Sequence, residues 1–181
     1  VITSGFFETC PFRFPHPAPS SARGGPAVTA GRFGRAGSIG GEVRTVGGTR
    51  LEGHGGALAV AAARRHGVEE LFTLSGGHVF PLYDGAVKAD PPLRLVDVRH
   101  EQTAVFAAEA TAKLLRRPGL AVLTAGPGVT NGVSAITTAH FNGSPVLVLG
   151  GRAPTGRWGT GSLQELDHPP LVATVTPSVA A

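Results

Sequence analysis

A chain of 181 residues with 41% hydrophobic residues is long enough to bury one core, and its formal charge of +4 comes from scattered arginines rather than from a basic stripe interleaved with aromatics. Those features exclude an evident nucleic-acid partner. The lone Cys10 can form neither an intrachain bridge nor a thiol metal cluster and suits a reducing, cytoplasmic setting. No apolar run reaches the roughly 18 residues that a membrane-spanning helix needs.

The chain opens with residues 1–52, rich in Gly, Pro, Ser and Arg and without a period of 2 or 3.6. This stretch reads as a disordered extension. Its Arg-rich, acid-poor character also suits an organelle transit peptide, but the repeated Gly and Pro oppose the amphipathic helix of such a signal. Val1 is not a methionine and the chain contains none, so the true start is expected elsewhere. Residues 53–181 read as one domain, truncated at its C-terminus.

From Gly55 onward, helical stretches alternate with short apolar runs. The pattern predicts a helix over Gly56–His66, a strand over Leu71–Leu74 and, after the Gly76-Gly77 turn, a helix over Val79–Lys88. A strand over Arg94–Val98 and a helix over Glu101–Leu115 follow. A strand over Leu120–Thr124, a helix over Val129–Ala139 and a strand over Pro145–Leu149 complete the alternation. Residues 152–162 are irregular, and Leu171–Val175 is a last strand candidate. Strands alternating with helices give an α/β fold, a doubly wound, mostly parallel sheet with helices on both faces.

In such a sheet the ligand crevice lies beyond the carboxyl ends of the strands. Glu101 sits there, opening a helix with a small-residue face (Ala104, Ala107, Ala108, Ala112). Alone, it reads as an acid complementing a helix dipole; if partly buried, it could share a proton with a ring nitrogen. His100 reads as a cap or packing residue. The scattered histidines lack metal-ligand spacing. The Gly126-Pro127-Gly128-Val129-Thr130-Asn131 segment fits either a tight strand-to-helix turn or a close approach of the backbone to a flat ring. Gly76-Gly77-His78 carries the same two readings. Arg152 and Arg157 flank Trp158 in a loop that could close over an anion or simply be exposed.

Together, Leu74-Ser75-Gly76-Gly77-His78, Arg99-His100-Glu101-Gln102, Thr124 to Asn131, and Ser162-Leu163-Gln164-Glu165-Leu166-Asp167 resemble the N-terminal pyrimidine-binding domain of acetolactate-synthase-like thiamine-diphosphate enzymes. The resemblance runs from about Gly55 to Val175. It implies that Glu101 hydrogen-bonds N1′ of the aminopyrimidine and so promotes loss of the thiazolium C2 proton. It implies further that Gly76, Gly77, Gly126, Pro127, Gly128 and Asn131 line the pyrimidine pocket, and that Gln164 approaches the substrate. The implied partners are a diphosphate-binding domain of a neighbouring subunit in a homo-oligomer and a small keto acid or acyl-CoA substrate. The implied cofactors are thiamine diphosphate and Mg²⁺, the latter held outside this chain, with FAD as a further option.

Leu163, Gly151 and Pro177 stand where many acetolactate synthases have Phe, Gln and Lys, which points toward acetolactate-synthase-like relatives that include the 2-hydroxyacyl-CoA lyases. The family's Gly-Asp-Gly metal motif is absent, and Tyr83-Asp84-Gly85 is placed in a helix instead. The fragment alone is expected to be inactive. Two alternatives remain at the level of sequence: an NADP-binding oxidoreductase fragment, from the Gly126 turn and Arg152, and an inactive module that docks on a full-length enzyme.

Overall fold

The computed structural model describes residues 44–46, 49–177 and 179. Strands β1 (Arg44–Val46) and β2 (Thr49–Leu51) pair antiparallel. This pairing corrects the expectation of an unstructured stretch up to residue 52 at these positions; the rest of residues 1–43 lies outside the described residues. Its sequence signal is Gly47-Gly48 between two short β-prone runs, a hairpin pattern obscured by the surrounding composition.

The alternating body follows the predicted order. Helix α1 (Gly55–Arg65) leads to β3 (Glu70–Thr73), and a 3-10 turn (Gly77–Val79) leads into α2 (Phe80–Lys88). Then come β4 (Arg94–Asp97), α3 (Glu101–Leu115), β5 (Gly119–Leu123), α4 (Pro127–Phe141) and β6 (Val146–Gly150). The last strand candidate, Leu171–Val175, is corrected: α5 (His168–Val172) occupies its start and a turn closed by Val175 N–H to Val172 O (3.0 Å) follows. Pro169 and Pro170 pre-set a first helical turn and lack ladder donors, which favours helix over strand.

The main sheet has the order β4-β3-β5-β6, and every pair is parallel. Strand β5 is buried throughout and divides its side chains between two cores: Leu120 and Val122 join Val60, Leu71, Val79 and Leu93, whereas Ala121 and Leu123 join Ala104, Val105, Val129 and Ile136. Helices α1 and α2 therefore cover one face and α3 and α4 the other, the doubly wound arrangement expected from the sequence.

On α3, Ala104, Ala108 and Ala112 recur every four residues and are fully buried. Their small size lets the helix axis approach β5 so closely that a Cβ on Gly119 would fall well under 3.0 Å from the Ala108 backbone. The small-residue face thus seats the helix on the sheet, and the seating places Glu101 at the strand-end edge.

Farther along α3, the buried Glu109 accepts hydrogen bonds from Asn142 Nδ2 (2.7 Å) and Ser144 Oγ (3.1 Å) and pairs with Lys113 (2.7 Å). This ties α3 to the connection between α4 and β6. Burial pushes its pKa up, but the bonds from Lys113, Asn142 and Ser144 outweigh burial and hold the carboxyl below its usual range. A depressed folded-state value stabilises the fold above the unfolded carboxyl value, and that stability is lost as pH falls through the folded value. Glu109→Ala is expected to cost about 2 kcal/mol at neutral pH, chiefly by leaving the buried Ser144 hydroxyl without its acceptor, and to flatten the loss of urea stability on acidification.

Candidate functional site

All four parallel strands end at one edge, and the loops after β3, β5 and β6 pack on one another around Thr124. This side chain is buried just beyond β5. A Cβ on Gly76 or on Gly128 would collide with it, and His78 Nδ1 lies 3.3 Å from its Oγ1. The loop after β6 joins from the other side, with Gly151 N–H donating to Leu123 O at 2.7 Å. A Cβ on Gly151 would lie 2.7 Å from that of His78. Glycine at this position therefore follows from how tightly the β3 and β6 loops meet here.

The Gly126 turn owes its backbone to glycine alone, with φ +59° and ψ −116°. Pro127 then opens α4, its fixed φ suited to a first turn. A Cβ on Gly126 would lie 2.7 Å from Gln164 O, so the space beside this glycine is filled by the chain itself. That packing removes the support for a nucleotide-binding turn, in which pyrophosphate would need the approach. Gly77, by contrast, faces open space.

Glu101 is the first residue of α3, with His100 capping the helix by accepting Gln102 N–H at 3.2 Å. The residue is 7% exposed. Its Oε2 accepts from Asn131 Nδ2 at 3.0 Å, a bond from the second turn of α4. Oε1 has no partner among the described residues, and no fully buried side-chain oxygen or nitrogen there is left unpaired, so Oε1 opens toward accessible space.

The structure thus joins Glu101 to Asn131 directly, and joins both to the Gly126-Pro127-Gly128 turn through α4. Gln164 meets this turn by its backbone, in the left-handed region at φ +57°; its side chain makes no hydrogen bond to Glu101 or Asn131 among the described residues. Arg152 stacks over Trp158, 4.0 Å from the ring centroid. Asp84 lies in α2 and pairs with Lys88 (2.8 Å) and His54 (2.9 Å), as expected of a residue outside the metal motif. Among the described residues no group of three metal-ligating side chains occurs, and no helix is long and apolar enough to cross a membrane. A groove of about 410 Å³ between α1 and α2 contains none of the strand-end loops.

Two residues escaped the sequence reading. Thr124 lies within one of the motifs but carries no role there, and His168 lies outside every motif. The latter is 5% exposed, and its Nε2 accepts the Gly126 N–H at 2.8 Å.

Residues 53–171 match the model of the thiamine pyrophosphate enzyme, N-terminal TPP binding domain. The chain belongs to this family. It is 57% identical over 122 residues to the acetolactate synthase large subunit IlvG of Mycobacterium tuberculosis, covering 67% of this chain and 22% of that protein. The 2-hydroxyacyl-CoA lyase 2 of Bos taurus is 50% identical over 115 residues, covering 64% of this chain and 18% of that protein; its counterpart from Caenorhabditis elegans is 47% identical over the same length. The chain therefore spans about a fifth of the length of these curated relatives. The matched region begins where the alternating body begins and takes in every strand-end loop of the TPP-binding domain described above.

Proposed function

We propose that this chain supplies the aminopyrimidine side of a thiamine-diphosphate site in an acetolactate-synthase-like carboligase or lyase acting on 2-keto acids or 2-hydroxyacyl substrates. Glu101 holds and moves the proton at N1′. The observation that carries this reading is the shielded Glu101 carboxyl, with one oxygen fixed by Asn131 and the other open at the strand-end edge. Thiamine diphosphate, when bound, supplies stabilisation of negative charge beside a carbonyl, which no side chain can provide.

The chain's own residues fit that group. Asn131 orients the carboxyl so that Oε1 stays available for a ring nitrogen. Gly76, Gly77 and the Gly126-Pro127-Gly128 turn present backbone at the edge, and the space beside Gly77 leaves room for a flat ring. Gln164, held against Gly126, stands on the segment assigned to the substrate side. The diphosphate and Mg²⁺ belong to a diphosphate-binding domain of a neighbouring subunit. The relatives' names support both carboligase and lyase chemistry, and the close packing at Gly151 accounts for one departure from the biosynthetic pattern.

The test mixes the chain with the remaining, diphosphate-binding part of a relative and measures thiamine-diphosphate binding by calorimetry with Mg²⁺ present. Saturable binding is expected in the mixture and not with the chain alone; no affinity in the mixture overturns the proposal. Turnover of pyruvate against that of a 2-hydroxyacyl-CoA then separates the two substrate classes.

A further inference from the structure

His168 is a buried titratable group that the proposed mechanism does not use, yet it touches the turn beneath the site. Its Nε2 accepts the Gly126 N–H at 2.8 Å, which requires that nitrogen to be unprotonated and puts the ring proton on Nδ1. The same turn is pressed by Gln164, whose carbonyl lies 2.7 Å from where a Gly126 Cβ would be. The segment 164–168 is thus fastened to Gly126 at both ends. At one end the fastening is shape, and at the other it is a hydrogen bond that fails on protonation, because an Nε2–H would face the amide N–H.

We infer that His168 is a positioning residue: its neutral ring latches the Gln164-bearing segment onto the Gly126 turn, and protonation releases the latch. The functional consequence rests on the proposed cofactor site; the latch itself does not.

The surroundings favour the neutral ring at ordinary pH. Burial dominates and pushes the His168 pKa down; Arg152, from the loop after β6, adds to this and Asp167 opposes it. The start of α4 brings no charge, since it carries Pro127, Gly128, Val129, Thr130 and Asn131. The nearby Glu165 carboxylate is turned away to the Gly159 and Ser162 N–H groups, at 2.7 and 3.0 Å. Within α5, Pro169, Pro170, Leu171 and Val172 are uncharged.

The full chain labelled with ¹⁵N, titrated by NMR from pH 8 to pH 4.5, tests this. At the alkaline end the His168 Nε2 shift is expected to be that of an unprotonated nitrogen. On acidification the Gly126 and Gln164 amides are expected to move with one inflection, shared with the His168 ring and below the ordinary histidine value of about 6.5. Asp167→Asn moves that inflection to lower pH and Arg152→Gln to higher pH. His168→Gln, whose carbonyl can accept the same bond without titrating, holds the Gly126 amide in place across the range. A protonated Nε2 at pH 8, or Gly126 and Gln164 amides that ignore the ring, overturns the inference. Thiamine-diphosphate binding to the assembled mixture is read separately, so loss of cofactor affinity counts against the proposed function and leaves the latch standing.

Discussion

Glu101→Gln, in the chain assembled with a diphosphate-binding partner, is expected to slow exchange of the thiazolium C2 proton of bound thiamine diphosphate by about two to four orders of magnitude, the usual contribution of a positioned acid or base. The substitution isolates proton transfer. Glutamine keeps the volume of the side chain, and its carbonyl can still accept the Asn131 amide that now bonds Oε2 at 3.0 Å. What it loses is a titrating oxygen. The fold should notice little, because the charge contributes only roughly 0.3–1 kcal/mol at the first turn of α3. Asn131→Ala provides the scale: it removes one orienting hydrogen bond, worth about 1 kcal/mol, and so should slow exchange only several-fold. Exchange at the native rate in Glu101→Gln, with cofactor still bound, would falsify the role assigned to the carboxyl.

How much of this was legible in the sequence varied with the physical signal. Buried parallel strands show as continuous apolar runs, so Leu120 to Leu123 identified β5 and the order of the body to within about two residues per boundary, the accuracy usual for such readings. Glu101 was legible only through its company, since a first-turn acid has a structural purpose of its own.

The small residues are legible as a pattern, though not in what they pack against. The alanines of α3 read as a small-residue face, and Ala104, Ala108 and Ala112 form the row that seats the helix on β5. The glycines at 76, 126 and 128 read equally as tight turns or as room for a ring, and their missing side chains make room for Thr124 and for Gln164. Composition reports that space is needed and cannot say which atoms fill it. His168 was illegible for a related reason: its partner is a backbone N–H 42 residues away, and no local pattern encodes such a bond. The apolar run at Leu171–Val175 had no periodicity to separate helix from strand, and the preceding Pro169-Pro170 decided it.

Gly119→Ala is expected to destabilise the isolated chain by about 3 kcal/mol, the upper range for overpacking a core. The added methyl group would meet the Ala108 backbone rather than the tip of a movable side chain, so relief requires α3 to lift from the sheet. Gly55→Ala is the control for the intrinsic effect of replacing glycine: it lies in the first turn of α1 with nothing within 4 Å of the new Cβ, and should be neutral or stabilising by up to about 1 kcal/mol. Urea unfolding of both variants reads the difference. Because α3 carries Glu101 at one end and rests on Gly119 farther along, lifting it must also disturb the Glu101 to Asn131 hydrogen bond. Gly119→Ala should therefore shift the Asn131 side-chain amide resonance in whatever folded fraction remains, whereas Gly55→Ala should not. A Gly119→Ala chain as stable as its parent would show that the helix and strand are farther apart than the alanine row allows.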